Sequence, residues 1–186
     1  MNININDIKN GMTVLIDNNL YLILEFQHVK PGKGPAFVRI KLKNLRTGST
    51  IEETFNTNIK VTKAHIEKNK VQYLYTDGDN LVFMNNETYD QTEINKKLLS
   101  DQLPYIKEGM DIEIEYYESE IIGVNLPEKV QYTVIESEPA VKGNTATNTF
   151  KDAKIETGYT VKVPLFIKEG EEIIISTKDG SYSGRA

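Results

Sequence analysis

The sequence predicts an all-β protein made of small barrels, on three observations. Apolar residues alternate with polar ones through most of the chain, as in Phe37-Val38-Arg39-Ile40-Lys41-Leu42, and period two is the spacing of a half-buried strand. Turn-forming clusters separate the alternating runs: Asp17-Asn18-Asn19, Asp77-Gly78-Asp79-Asn80 and Lys178-Asp179-Gly180. A phrase K-x-G-x-x-[V/I]-x-I recurs three times, as KNGMTVLI from Lys9, KEGMDIEI from Lys107 and KEGEEIII from Lys168. In each, a glycine turn feeds an alternating strand.

The elements follow in order. TVLIDNNLYLILEF reads as two strands about a tight turn, and AFVRIKLKNL as a third strand. HVKPGKGPAFVR, from His28 to Arg39, joins them as a protruding hairpin with Lys33 at its tip. VQYLYTDGDNLVFMN is a second hairpin, and MDIEIEYYESEIIGVNL a third. QTEINKKLLSDQL, from Gln91 to Leu103 and closed by Pro104, is the best helix candidate, and KAHIEKNK could add a helical turn. VQYTVIES, GYTVKVPLFI and EEIIISTKDGSYSGR complete the strands. The second and third copies of the phrase lie 61 residues apart, about the size of one five-stranded barrel. The first copy stands near the chain start, so the N-terminal unit is expected to be a different barrel. Domains are expected at 1–63, 64–127 and 128–186. Units of about 60 residues are marginal alone, so they should pack on one another.

Charge and composition narrow the function. Net charge is −5 over 186 residues. Residues 1–63 hold nine Lys/Arg against five Asp/Glu, residues 64–128 five against fourteen, and residues 129–186 eight against eight. A basic end and an acidic middle suggest that one end meets a polyanion. The acidic middle also suits a solvated face or a protein partner. With no cysteine there is no disulfide, thiolate metal site or thiol nucleophile. No apolar run is long enough for a membrane span. MNININDIKNG lacks the features of a signal peptide, and a cytoplasmic location is expected, with no membrane partner.

The chemistry of an enzyme is missing. His28 and His65 are the two histidines, and no G-x-S-x-G pattern occurs. Gly32-Lys33-Gly34 fails the P-loop pattern because Gly34, not a hydroxyl residue, follows its lysine. The dinucleotide fingerprint fails because Phe37 stands where its third glycine belongs. Asp77-Gly78-Asp79-Asn80 misplaces the glycine of a calcium loop, and position twelve is Thr88. A Schiff-base lysine would need burial or a neighbouring charge, which an exposed tip between glycines does not offer. No catalytic residue, metal or cofactor is expected.

The hairpin carries the functional signal. Gly32 and Gly34 clear side chains from both sides of Lys33, which would let the backbone approach a crowded surface. Pro31 and Pro35 restrict the loop before it binds anything. Arg39, Lys41 and Lys43 share one strand face, with Lys30 and Arg46 near its ends, a natural phosphate-binding set. The plainer explanation is an exposed edge guarded by lysines.

VKPGKGPAFVRIKLKNLRTG, YLYTDGDNLVFMNNETYDQ and KDAKIETGYTVKVPLFIKEG, in that order, closely resemble segments of bacterial elongation factor P. The resemblance covers nearly the whole chain. It implies an SH3-like (KOW-type) N-terminal barrel and two OB-folds in an L-shaped arrangement like transfer RNA. It implies a non-enzymatic, monomeric factor that binds the ribosome between the peptidyl and exit sites and relieves stalling at consecutive prolines. Ribosomal RNA, ribosomal proteins and peptidyl-tRNA are the partners implied, with messenger RNA at the exit site. Lys33 matches the functional lysine, flanked by Lys30, Pro31, Gly32, Gly34 and Pro35. In many relatives a dedicated enzyme modifies that lysine, while Pro-Gly-Lys-Gly-Pro looks like a subgroup that works with it bare. Gly143, Asn144 and Thr145 match the exit-site loop, where Asn144 replaces the usual aspartate. Tyr182 and Arg185 match the C-terminal pair. The alternative is a general RNA-binding or ribosome-assembly protein, with Tyr73, Tyr75, Phe83 and Tyr89 as a stacking platform or simply as core and hairpin packing.

Overall fold

The computed structural model describes residues 1–139 and 149–186. They form three curled antiparallel sheets, so the all-β expectation holds. The first contains β1 (Asn2–Asn4), β2 (Thr13–Ile16), β3 (Asn19–Val29), β4 (Phe37–Asn44), β5 (Thr50–Asn56) and β6 (Lys60–Lys63), in the order β1-β6-β2-β3-β4-β5. The second contains β7 (Ile66–Asp77), β8 (Asn80–Asn85), β9 (Gln91–Asn95), β10 (Asp111–Tyr117) and β11 (Glu120–Asn125), in the order β11-β10-β7-β8-β9. The third contains β12 (Lys129–Ser137), β13 (Phe150–Ile155), β14 (Thr160–Pro164), β15 (Glu172–Ser176) and β16 (Tyr182–Arg185), in the order β14-β13-β12-β15-β16. Among the described residues no helix is long and apolar enough to cross a membrane.

Local chemistry explains the turns. Asp17 and Asn18 both take positive φ, 48° and 68°, between the paired residues Ile16 and Asn19. That is a type I′ hairpin, whose twist matches its strands and whose central positions favour Asn and Asp.

The recurring phrase builds the same clip three times. Gly11, Gly109 and Gly170 lie at φ +87°, +78° and +84°, the left-handed region that a glycine enters freely. In each copy the residue after the glycine donates to the lysine carbonyl three positions back, at 3.2 Å. The glycine N–H donates to the carbonyl of Ile23, Tyr73 or Val134, and that same residue donates back, at 2.9 Å, to Met12, Met110 or Glu171. Ile23, Tyr73 and Val134 each open a β-bulge in the longest strand of their sheet. The clip therefore locks a turn onto a bulged neighbouring strand in all three sheets, the first included. There it precedes the long strand; in the other two it follows.

Two sequence expectations are corrected. Gln91–Leu103 is not a helix: Gln91–Asn95 pairs with β8, placing Glu93 opposite Val82 and the buried Ile94 opposite Leu81. Residues 96–102 then form turns that bury Leu99 completely, and Pro104 sits inside a short 3₁₀ turn, Leu103–Tyr105. Pairing against β8 outweighs the helix preference of Lys, Leu and Gln, which is weak for each residue. KAHIEKNK adds no helical turn either. Its Ile66–Lys70 opens β7, and Ala64 is buried.

The described residues divide into two compact bodies. One is Met1–Lys68 with Glu115–Gly123. Its first core holds Ile5, Ile8, Val14, Ile23, Val38, Ile40, Leu42 and Val61. A second cluster joins Leu20, Ala64 and Ile122, with Leu45 and Tyr117 packed against it. The other body is Asn69–Ile114 with Val124–Ala186. Within it the second and third sheets meet through polar and aromatic contacts. Tyr132 Oη donates to the Tyr105 carbonyl, Thr157 Oγ1 to the Pro104 carbonyl, and Lys107 Nζ to the Gln131 carbonyl. The Tyr105 and Tyr159 rings meet edge to face, centroids 5.1 Å apart. Burial holds the Tyr132 hydroxyl above its ordinary pKa and pushes Tyr159 up to about 12.

Candidate functional site

β3 and β4 pair continuously from Tyr21 opposite Asn44 to Val29 opposite Phe37. Their last rung with a core side chain pairs the buried Val38 with the exposed His28. Beyond it the two strands continue as a free arm, and Lys30 to Pro35 are all exposed. Lys33 stands about five residues past that rung, or roughly 16 Å at strand rise. It reaches away from its own barrel rather than into it. Among the described residues nothing lies within 4 Å of where a Cβ would sit on Gly32 or Gly34. Gly34 adopts φ +103°, so its glycine answers the turn itself. Only glycine takes that conformation without strain.

Register separates the basic residues that the sequence groups together. Val38, Ile40 and Leu42 point into the core, leaving Arg39, Lys41 and Lys43 on the outer face. Lys41 lies between Glu25 on β3 and Glu52 on β5, so two carboxylates screen it. Arg39 has the uncharged neighbours Gln27 and Thr54, and its guanidinium stands 6.0 Å from the Phe37 ring centroid. Lys43 lies between Leu22 and Thr50.

Arg46 is engaged elsewhere. Nε and Nη2 each donate to a Glu120 carboxylate oxygen at 2.9 Å, and Nη1 donates to the Asn18 carbonyl at 2.7 Å. The bond to Glu120 raises the guanidinium pKa, and the same bond lowers that of Glu120. The exposed cations left along the arm are Lys30, Lys33 and Arg39. Under the arm lies a recess of about 470 Å³ lined by Asn6, His28, Val29, Lys30, Ala36, Phe37 and Thr57. Asn6 Nδ2 ties its floor to the Thr57 carbonyl at 3.0 Å. His28 meets the Phe26 ring edge to face.

The remaining predicted residues lie on the third sheet. Tyr182 is half-buried and packs against that core. Arg185 Nη2 donates to Glu171 at 3.2 Å, and its guanidinium stacks 4.5 Å above the Phe166 ring. Gly143, Asn144 and Thr145 lie outside the described residues. The aromatic platform does not assemble. Tyr73 and Phe83 are buried with rings 5.6 Å apart, whereas Tyr75 and Tyr89 are exposed. Among the described residues no cluster of His, Cys, Asp or Glu is placed to hold a metal.

Sequence reasoning missed the screening of Lys41 and the Arg46–Glu120 pair. Both depend on which strands become neighbours, and no short-range signal encodes that.

Three family models match the chain in succession. Residues 4–61 match the elongation factor P KOW-like domain, 66–124 the elongation factor P OB domain, and 130–185 the elongation factor P C-terminal domain. Solved structures similar in fold include eukaryotic translation initiation factor 5A from Methanococcus jannaschii, at 23% identity and TM-score 0.55, covering 68% of this chain and 94% of that one. A translation initiation factor eif-5a family protein from Naegleria fowleri is 18% identical at TM-score 0.52, covering 68% of this chain and 98% of that one.

Proposed function

Since the chain belongs to the elongation factor P family of translation factors, we propose that it binds the ribosome between the peptidyl and exit sites and speeds peptide-bond formation at consecutive prolines. Proline is a poor nucleophile there because its ring constrains the attack geometry. The factor itself need neither give nor take a proton. Holding peptidyl-tRNA and the nascent chain in a reactive alignment lowers the barrier by positioning. It acts without enzymatic chemistry of its own.

The observation that carries this reading is the exposed Lys33 amine at the end of an arm that projects past its own core. Proline restriction at residues 31 and 35 and the glycine-specific turn at Gly34 lower the entropy lost when the loop docks. Lys30 and Arg39 are suited to phosphate groups along the acceptor stem. Lys33 is proposed to work unmodified, because a pre-shaped loop places a bare amine without added contacts.

Lys33→Ala is expected to abolish stimulation of a consecutive-proline reporter in reconstituted translation while leaving circular dichroism and melting temperature unchanged. Equal stimulation by the variant and the parent protein would refute the assignment. Intact mass of protein from its native cells tests the bare lysine, and an added mass localised to Lys33 would reject it.

A further inference from the structure

One hairpin turn is built twice with the same five bonds, and one of its two copies breaks the rule the turn obeys. In Asn44–Thr50, Asn44 N–H donates to the Ser49 carbonyl and Gly48 N–H to the Asn44 carbonyl, both at 2.8 Å. Asn44 Oδ1 accepts from Arg46 and Thr47, and Thr47 Oγ1 from Ser49. In Asn85–Gln91, Asn85 N–H donates to the Asp90 carbonyl and Tyr89 N–H to the Asn85 carbonyl, at 2.9 and 2.8 Å. Asn85 Oδ1 accepts from Glu87 and Thr88, and Thr88 Oγ1 from Asp90. The third sheet repeats the frame at Ser176–Ser181, with Gly180 donating to Ser176. The left-handed position is Gly48 at φ +79° and Gly180 at φ +76°, but Tyr89 at φ +63° in the second sheet.

A bulky residue at that angle is strained. Its ring is not repaid by packing: Tyr89 is 72% exposed, more than any other large apolar side chain among the described residues except Met1. Glycine would serve the turn better, as it does in the other two sheets. The strained ring therefore points to a contact outside the described fold. Its surroundings select the partner. Glu87 and Asp90 flank it in the turn, and Glu93 is exposed on the adjoining strand. Among the described residues none of these three pairs with a cation. They sit in a segment holding fourteen acidic residues against five basic ones, which repels phosphate.

We propose that the Tyr89 turn is a docking site for an arginine- or lysine-bearing protein segment, with a cation seated over the ring and the carboxylates pairing its neighbours. This surface belongs to the second sheet and not to the Lys33 arm, and its test needs no ribosome.

An arginine-rich nonapeptide is titrated into the full chain and followed by ¹H–¹⁵N NMR. Shifts should centre on Glu87, Tyr89 and Asp90. Tyr89→Phe should bind as the parent does. Tyr89→Gly should weaken binding about fivefold, while relief of the left-handed strain raises the melting temperature by roughly 2 °C. Glu87→Lys with Asp90→Lys should remove binding. The proposal is overturned by absence of peptide binding, by shifts spread evenly over the acidic segment with Tyr89→Gly binding normally, or by a melting temperature that does not rise in Tyr89→Gly. It is also overturned if oligouridylate, and not the peptide, moves the Tyr89 signals.

Discussion

Gly180 has φ +76°, and the Tyr105 and Tyr159 hydroxyls stand where a Cβ would project. Both constraints fall on one residue, so Gly180→Ala is expected to destabilise the protein by about 3 kcal/mol, read as a lower urea midpoint. Gly11, Gly109 and Gly170 meet only the first constraint. Among the described residues, apart from the far end of the Gln72 side chain near Gly109, nothing approaches their Cβ positions. Each alanine variant should cost about 1 kcal/mol. A larger loss at any of the three would mean that the clip transmits strain into the bulged strand. Lys33 is the opposite case: its substitution should cost activity and no stability, because its side chain is exposed at the tip of the arm.

The hairpin and its neighbours show what an element decides. Alternation along Phe37–Asn44 identifies the outer face from sequence, and the strand obeys it. The electrostatics of that face depend on register, because β3 contributes Glu25 and β5 contributes Glu52 on either side of Lys41. Arg46, just past the strand, looks like one more RNA cation in sequence and is instead held by Glu120 and Asn18. Ribosome binding measured against salt should separate these roles. Lys30→Ala and Arg39→Ala should each reduce the slope of log affinity against log salt by about one phosphate contact, whereas Arg46→Ala should leave it unchanged. The failed helix at Gln91–Leu103 belongs to the same scale. Its pattern suits a helix locally, and only the waiting edge of β8 turns its first five residues into a strand.

At the scale of the molecule, alkali should act on the joint between the second and third sheets. Tyr132 and Tyr159 ionise above the ordinary tyrosine value of 10.0, chiefly because burial disfavours the phenolate. A raised folded pKa means that the native state holds the proton more tightly than the unfolded chain. Their contribution to stability is therefore complete below pH 10 and is lost as pH rises toward 12 and beyond. Urea midpoints should be flat to about pH 10 and fall above it, with the last tyrosines ionising together with unfolding. Tyr132→Phe should lower stability by about 1 kcal/mol at neutral pH, because the Tyr105 carbonyl loses its donor. A midpoint that fell well below pH 10 would place the sensitive groups elsewhere.

By itself the sequence determined the all-β class, the turns, the projecting Lys33 arm and the three-fold Gly phrase. Each of these is written in neighbouring residues: period-two alternation, positive-φ glycines, and prolines bracketing one lysine. The tertiary structure alone decided which charges remain available, which aromatics are core and which stand in solvent. It also showed that three distant glycine turns clip onto three bulges, and that a tyrosine occupies a glycine's place in a shared turn. Such features arise from residues far apart in the chain being brought to one rung or one joint, and no local pattern carries the identity of a neighbour that folding has yet to supply.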